Sequence, residues 1–190
     1  MSAARDSKRP PRPATSAGKR EFRAFSWKDT NLRVACADVD LVTAEVVAQR
    51  RLLEGYVARH PDFLEALAPV AAAADAPVIV RSMCRAAAAT GLGPMAAVAG
   101  ALAQAGAEPA LAAGHREVII ENGGDMYVAS DRDVVVGLHT RDPRLGDRLA
   151  LRLRPADLPL ALCSSSSHMG HSRSLGNCHL ATVLAADAAL

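Results

Sequence analysis

The stretch EVIIENGGDMYV, Glu117 to Val128, decides how this chain is read. Val118, Ile119 and Ile120 form a short apolar run of strand type, Asn122-Gly123-Gly124-Asp125 is a turn, and Met126, Tyr127 and Val128 begin a second strand. Asn-Gly and Gly-Gly favour the positive φ that two-residue hairpin turns need, so the stretch predicts an antiparallel pair. The two glycines also leave the backbone bare, and a ligand can approach their N–H groups closely. Asn122 and Asp125 flank that bare backbone. An ordinary hairpin turn and a ligand-facing loop both fit these residues.

A second segment bears on the choice. Residues 163–176, CSSSSHMGHSRSLG, place six serines, two histidines and two glycines within fourteen positions, directly after an apolar run. Hydroxyls together with the backbone at Gly170 and Gly176 can donate to a phosphate or to the polar edge of a ring. The same serines would also serve an ordinary polar loop by capping turns. His168, His171 and His179 fall close together, but with no predicted helix and no matching carboxylate they do not define a metal site. His60, His115 and His139 lie beside turns or strand ends and read as surface residues. A Gly-x-Ser-x-Gly elbow is absent, which argues against a serine hydrolase.

Working outward, residues 22–39 predict two short strands about a turn at Lys28-Asp29-Thr30-Asn31, with Leu32, Val34 and Cys36 on the apolar side. Thr43 is placed to cap a helix running through Arg59, with Val46, Val47, Leu53 and Val57 on one face. His60-Pro61 ends it, Pro61 to Leu67 opens a short second helix, and Pro77 to Val80 reads as a strand. In residues 91–113, Gly91 and Gly93 make a turn, Pro94 suits the first helical position, and Gly100 and Ala101 permit tight helix–sheet contact. Further strands are expected around 117–121, 126–129 and 133–139, and where Leu149, Leu151 and Leu153 alternate with arginines. Paired strands with helices to the side imply an α+β layered fold.

Composition bounds the rest. A chain of 190 residues is long enough for one domain with a sizeable core, and with 3% aromatic residues that core must be built from Ala, Val and Leu. Residues 1–20 have a formal charge of +5, leaving −3 on the remainder of a chain whose total is +2. Residues 1–20 therefore read as a disordered basic tail, and 21–190 as a single mildly acidic domain with no case for nucleic-acid binding. No apolar run approaches a membrane span, the tail has no secretory apolar core, and Cys36, Cys84, Cys163 and Cys178 lack paired metal spacing. A cytoplasmic protein with free thiols is expected.

Three blocks in order, Gly91 to Ala101 (GLGPMAAVAGA), Glu121 to Tyr127 and Cys163 to Val183, resemble the ApbE-like superfamily. The likeness is to its uncharacterised-protein branch, related to FAD-dependent FMN transferases, and covers about residues 20–190. The resemblance implies an α+β, ApbE-like layered fold with antiparallel strands and packed helices. It also implies a flavin nucleotide (FAD) or similar phosphorylated ligand bound between the two loops. Asn122, Gly123, Gly124 and Asp125 would line the pocket, and Ser164, Ser165, Ser166, His171 and Ser172 would face it. His171 and Asp125 are the best candidates for acid–base chemistry, should a reaction be catalysed. Magnesium accompanies FAD in that superfamily, but its metal motif is incomplete here. His179 stands where an acidic residue is usual, and Asp187 is not followed by the expected Thr. Two other readings stay open: a thiol-dependent role in sulfur assimilation through Cys163 and Cys178, and a non-catalytic binding protein. A homodimer is plausible for an Ala/Leu-rich domain.

Overall fold

The computed structural model describes residues 19–146, 148–169 and 176–190; of the expected tail over 1–20, residues 1–18 lie outside them, as do His171 and Ser172. Among the described residues, the strands are β1 (Arg23–Trp27), β2 (Thr30–Cys36), β3 (Val118–Asn122), β4 (Asp125–Ala129), β5 (Val134–Leu138), β6 (Leu149–Leu153), β7 (Leu160–Ser165) and β8 (Ala181–Ala185). The helices are α1 (Val39–Arg59), α2 (Asp62–Glu65), α3 (Val78–Thr90) and α4 (Val98–Ala112), the last entered through a 3-10 turn over Pro94–Ala97. Six strands form one antiparallel sheet in the order β1-β2-β3-β4-β7-β8, while β5 and β6 pair separately. The α+β class with antiparallel strands is as the sequence predicts.

The apolar triplet Val118-Ile119-Ile120 shows why the sheet is central. Successive side chains point to opposite faces, and all three are buried. Val118 and Ile120 pack with Val42 and Val46 of α1 and Ala103 and Ala107 of α4. Ile119 joins Val128 and Leu162 against Val134, Val136 and Leu153 of the β5–β6 hairpin. The molecule is therefore three layers: helices, sheet, hairpin. A strand buried on both faces reads as a continuous apolar run, and β3 does. A further cluster of Leu53, Tyr56, Phe63, Ile79, Met83 and Leu102 ties the four helices together.

Three expectations need correction. Asp38, not Thr43, caps α1: its Oδ1 accepts the Leu41 N–H at 3.0 Å, whereas Thr43 is buried within the helix and donates to the Asp40 carbonyl. A carboxylate at the positive end of the helix is the better cap, and the earlier start lets Val39 and Val42 bury against the sheet. Pro77 to Val80 is no strand; Pro77 precedes α3, in which Ile79, Val80, Met83, Cys84, Ala86 and Ala87 are buried at helical spacing. Tertiary packing overrides the strand preference of Val78-Ile79-Val80. In β6 only Leu153 is buried, and Leu149 is exposed, because the hairpin covers the sheet with one end only.

Candidate functional site

The Asn-Gly-Gly-Asp turn closes β3 onto β4 with Asn122 paired to Asp125. Gly123 has φ 64° and Gly124 φ 105°, a pair of values that side chains resist and that this tight turn requires. Gly123 is exposed at the tip, and the Gly124 N–H donates to Glu121 Oε1 at 3.1 Å. β7 then lies beside β4 with Cys163 opposite Asp125, so the serine loop leaves the sheet at the same end as the turn. The start of α4 reaches that end too: Asn122 is buried and its Nδ2 donates to the Ala99 carbonyl at 3.0 Å. Three blocks far apart in sequence meet at one end of one sheet.

Strand alternation divides the expected residues between two faces. Asn122, Asp125 and Cys163 share the helix face with Tyr127 and Ala161. Ser164 lies on the hairpin face, its hydroxyl 3.0 Å from that of Thr182 in β8. Ser165 is exposed at the end of β7. Ser166 is buried, and its Oγ accepts the His168 N–H at 3.0 Å. His171 and Ser172 lie outside the described residues. His168 stacks on His179 at 4.6 Å between ring centroids.

Gly100 sets how closely the C-terminal segment approaches. A Cβ there would fall 1.9 Å from the Ala188 carbonyl oxygen and 3.4 Å from Cys163 Sγ. The segment is held by the Ala188 N–H, which donates to Gln104 Oε1 at 2.8 Å. Sequence reading misses the supporting residues Gln104, Thr182 and Glu121, whose roles depend on long-range pairing that local pattern does not carry.

Electrostatics at this end are set by burial. Burial pushes the Asp125 carboxyl up from its ordinary value; the Ser164 backbone N–H and the Cys163 thiol pull it only part of the way back. Burial, together with the neighbouring Asp125 charge and hydrogen bond, pushes the Cys163 thiol up to about 12. That thiol has one proton and two acceptors beside it, Asp125 and the Ala188 carbonyl at 3.7 Å. A thiol kept protonated is a poor nucleophile. We expect iodoacetamide at a pH of ~8 to label exposed Cys178 readily and Cys163 at least about a hundredfold more slowly, read by peptide mass spectrometry.

The raised Asp125 also fixes a pH dependence. Both folded and unfolded chains hold its proton well below the ordinary Asp value of about 3.9. As pH rises past that value and through the higher folded one, the unfolded state ionises first and folding loses stability. Asp125→Asn should therefore melt above the parent near neutral pH and lose that advantage on acidification; equal differences at both pH values would contradict the burial described.

Magnesium does not fit here. Burial disfavours the charged form of Asp125, which is already hydrogen-bonded, and the Asp187 Oδ1 accepts the Ala189 N–H at 2.9 Å. Among the described residues, no group of three or more His, Cys, Asp and Glu converges as a metal site.

The architecture defines an antiparallel α+β protein with a glycine turn and a serine loop at one sheet end. The chain belongs to the family described as AbpE bacteria, whose model matches residues 14–190. Relatives are the UPF0280 proteins of three archaea. That of Methanocella arvoryzae is 41% identical over 138 residues, covering 73% of this chain and 56% of the relative. That of Archaeoglobus fulgidus is 35% identical over 174 residues, covering 90% and 70%. That of Methanoregula boonei is 39% identical over 167 residues, covering 86% and 70%. The chain thus spans between 56% and 70% of the length of these relatives. These matches correct the expected ApbE-like assignment: they place the chain with the UPF0280 proteins and do not point to an FMN transferase.

Proposed function

We propose that the chain binds a phosphorylated, nucleotide-like ligand at the sheet end where the glycine turn, the serine loop and the start of α4 meet. The observation behind this reading is their convergence, with Asp125 opposite Cys163 and Asn122 tied to Ala99. Phosphate seeks backbone N–H groups and hydroxyls; a ring seeks an apolar slot with a few polar edges. FAD offers both and is the form to test first. The reading is one of binding and leaves open whether a reaction follows. Asp125→Ala and His171→Ala should each weaken FAD binding while leaving the circular dichroism spectrum unchanged; parent affinity in both variants would remove the assignment.

We further propose a cytoplasmic protein, supported by four free thiols, and a homodimer formed through β8. The edge strand Ala181–Ala185 has no charge and no Pro, and it exposes Val183 and Leu184 on opposite faces. Such an edge invites strand pairing. The other edge, β1, begins at Arg23 and ends at Trp27 beneath Lys28 and Arg51. Sedimentation should show a dimer that Val183→Lys converts to monomer; a monomeric parent would overturn the assembly.

A further inference from the structure

We propose that a cleft at the opposite end of the sheet is a second binding site, for the phosphate of a small phosphomonoester. The cleft encloses about 310 Å³ between the end of β2 (Ala35 to Ala37), the linker from α4 to β3 (His115 to Glu117), residues 19–21 and Arg132. It lies one strand length from the glycine turn, because Val118 and Asn122 are the two ends of β3.

Charge and preorganisation identify the ligand class. The lining brings together Lys19, Arg20, Arg116 and Arg132 against two carboxylates, with His115 beside them. That is a cationic excess of two, matching a phosphomonoester dianion. Glu117 does not cancel the site so much as brace it. Its Oε2 accepts from Arg20 Nε and from Ser130 Oγ, each at 2.9 Å, and its Oε1 accepts from Arg132 at 2.6 Å. Burial alone would raise its carboxyl; the hydrogen bonds from Arg132, Ser130 and Arg20 instead hold it below the usual carboxylate range. Arg20 is fixed further by bonds to Ser130 Oγ at 3.2 Å and the Asp133 carbonyl at 3.0 Å, both through one terminal nitrogen. Its other terminal nitrogen enters none of these bonds. A guanidinium held in place with donors to spare is the fork that phosphate selects.

The remaining donors come from rigid neighbours. Gly114, with φ 90°, reverses the chain after α4, and the His115 N–H donates back to the Ala110 carbonyl at 3.0 Å. This closure delivers His115 and Arg116 to the cleft. Arg116 has only an exposed partner, Asp131 at 3.3 Å, and such a pair is weak. Among the described residues, neither Lys19 nor the His115 ring has an acceptor. A bounded cleft on an otherwise acidic domain suits a small metabolite rather than a polyanion.

The test is calorimetric titration of the whole chain, at fixed ionic strength, with glycerol 3-phosphate and separately with glycerol. Saturable binding of the phosphate alone is expected, weakened at least tenfold in the Lys19→Ala/Arg116→Ala double variant. Both side chains are on the exposed rim, so the variant should fold; its melting curve checks this. Asp125→Asn, at the other end, should leave the affinity unchanged, which separates this site from the nucleotide site. Absence of saturable binding, equal binding of glycerol, or parent affinity in the double variant would each overturn the proposal.

Discussion

Ile120→Ala is expected to lower the free energy of unfolding by about 2–5 kcal/mol. Ile120 is fully buried in β3, opposite Val34 of β2 and Tyr127 of β4, and packs under α1 and α4. Truncation removes apolar burial and leaves a cavity that two strands and two helices cannot close. Since domains are stable by only about 5–15 kcal/mol, the change takes a large share. Urea unfolding should show a lower midpoint with an unchanged slope. Val135→Ala, at an exposed position of β5, should fall within about 0.5 kcal/mol of the parent. A loss below about 1 kcal/mol for Ile120→Ala would mean that the helical layer does not pack on β3 as described.

Gly124→Val should have the largest effect on ligand binding. At φ 105° a β-branched residue is strained, which destabilises by about 1–3 kcal/mol. Space is not the obstacle, because the nearest atom to an added Cβ is the Ser164 carbonyl oxygen at 3.6 Å. The substitution instead distorts the turn and with it the bare Gly123 tip that a phosphate would approach, so FAD affinity should drop at least tenfold, measured at a temperature where the variant is folded. Gly137→Ala in β5, with no atom within 4 Å of an added Cβ, is the control and should change neither property.

Several features legible in local signals hold in the structure, although the local cap signal at Thr43 gives way to Asp38. The hairpin at Asn122 to Asp125 follows from turn chemistry, and the β1–β2 pair and the α4 entry at Pro94 follow from period and punctuation. The α3 helix is hidden by the strand-like triplet Val78-Ile79-Val80, of which Ile79 and Val80 pack in the cluster with Met83 and Leu102 while Val78 stays exposed. The resemblance implies that the glycine turn and the serine loop share one pocket, but the pairing of Asp125 with Cys163 and its register are not legible in the sequence. That register puts Ser164 on the face away from Asp125, beside Thr182, a consequence no spacing rule could give before the strand pairing was known. The Arg20–Glu117–Arg132 brace was equally hidden, since its members are far apart in sequence and Arg20 looked like the end of a basic tail.

The most direct test of the nucleotide site is a fluorescence titration of the purified chain with FAD, with and without magnesium, run beside Gly124→Val. Saturable binding by the parent at micromolar concentrations, little changed by magnesium and at least tenfold weaker in the variant, is the predicted result. No saturable binding by the parent under either condition, or equal binding by the two proteins, would contradict a ligand site at the glycine turn.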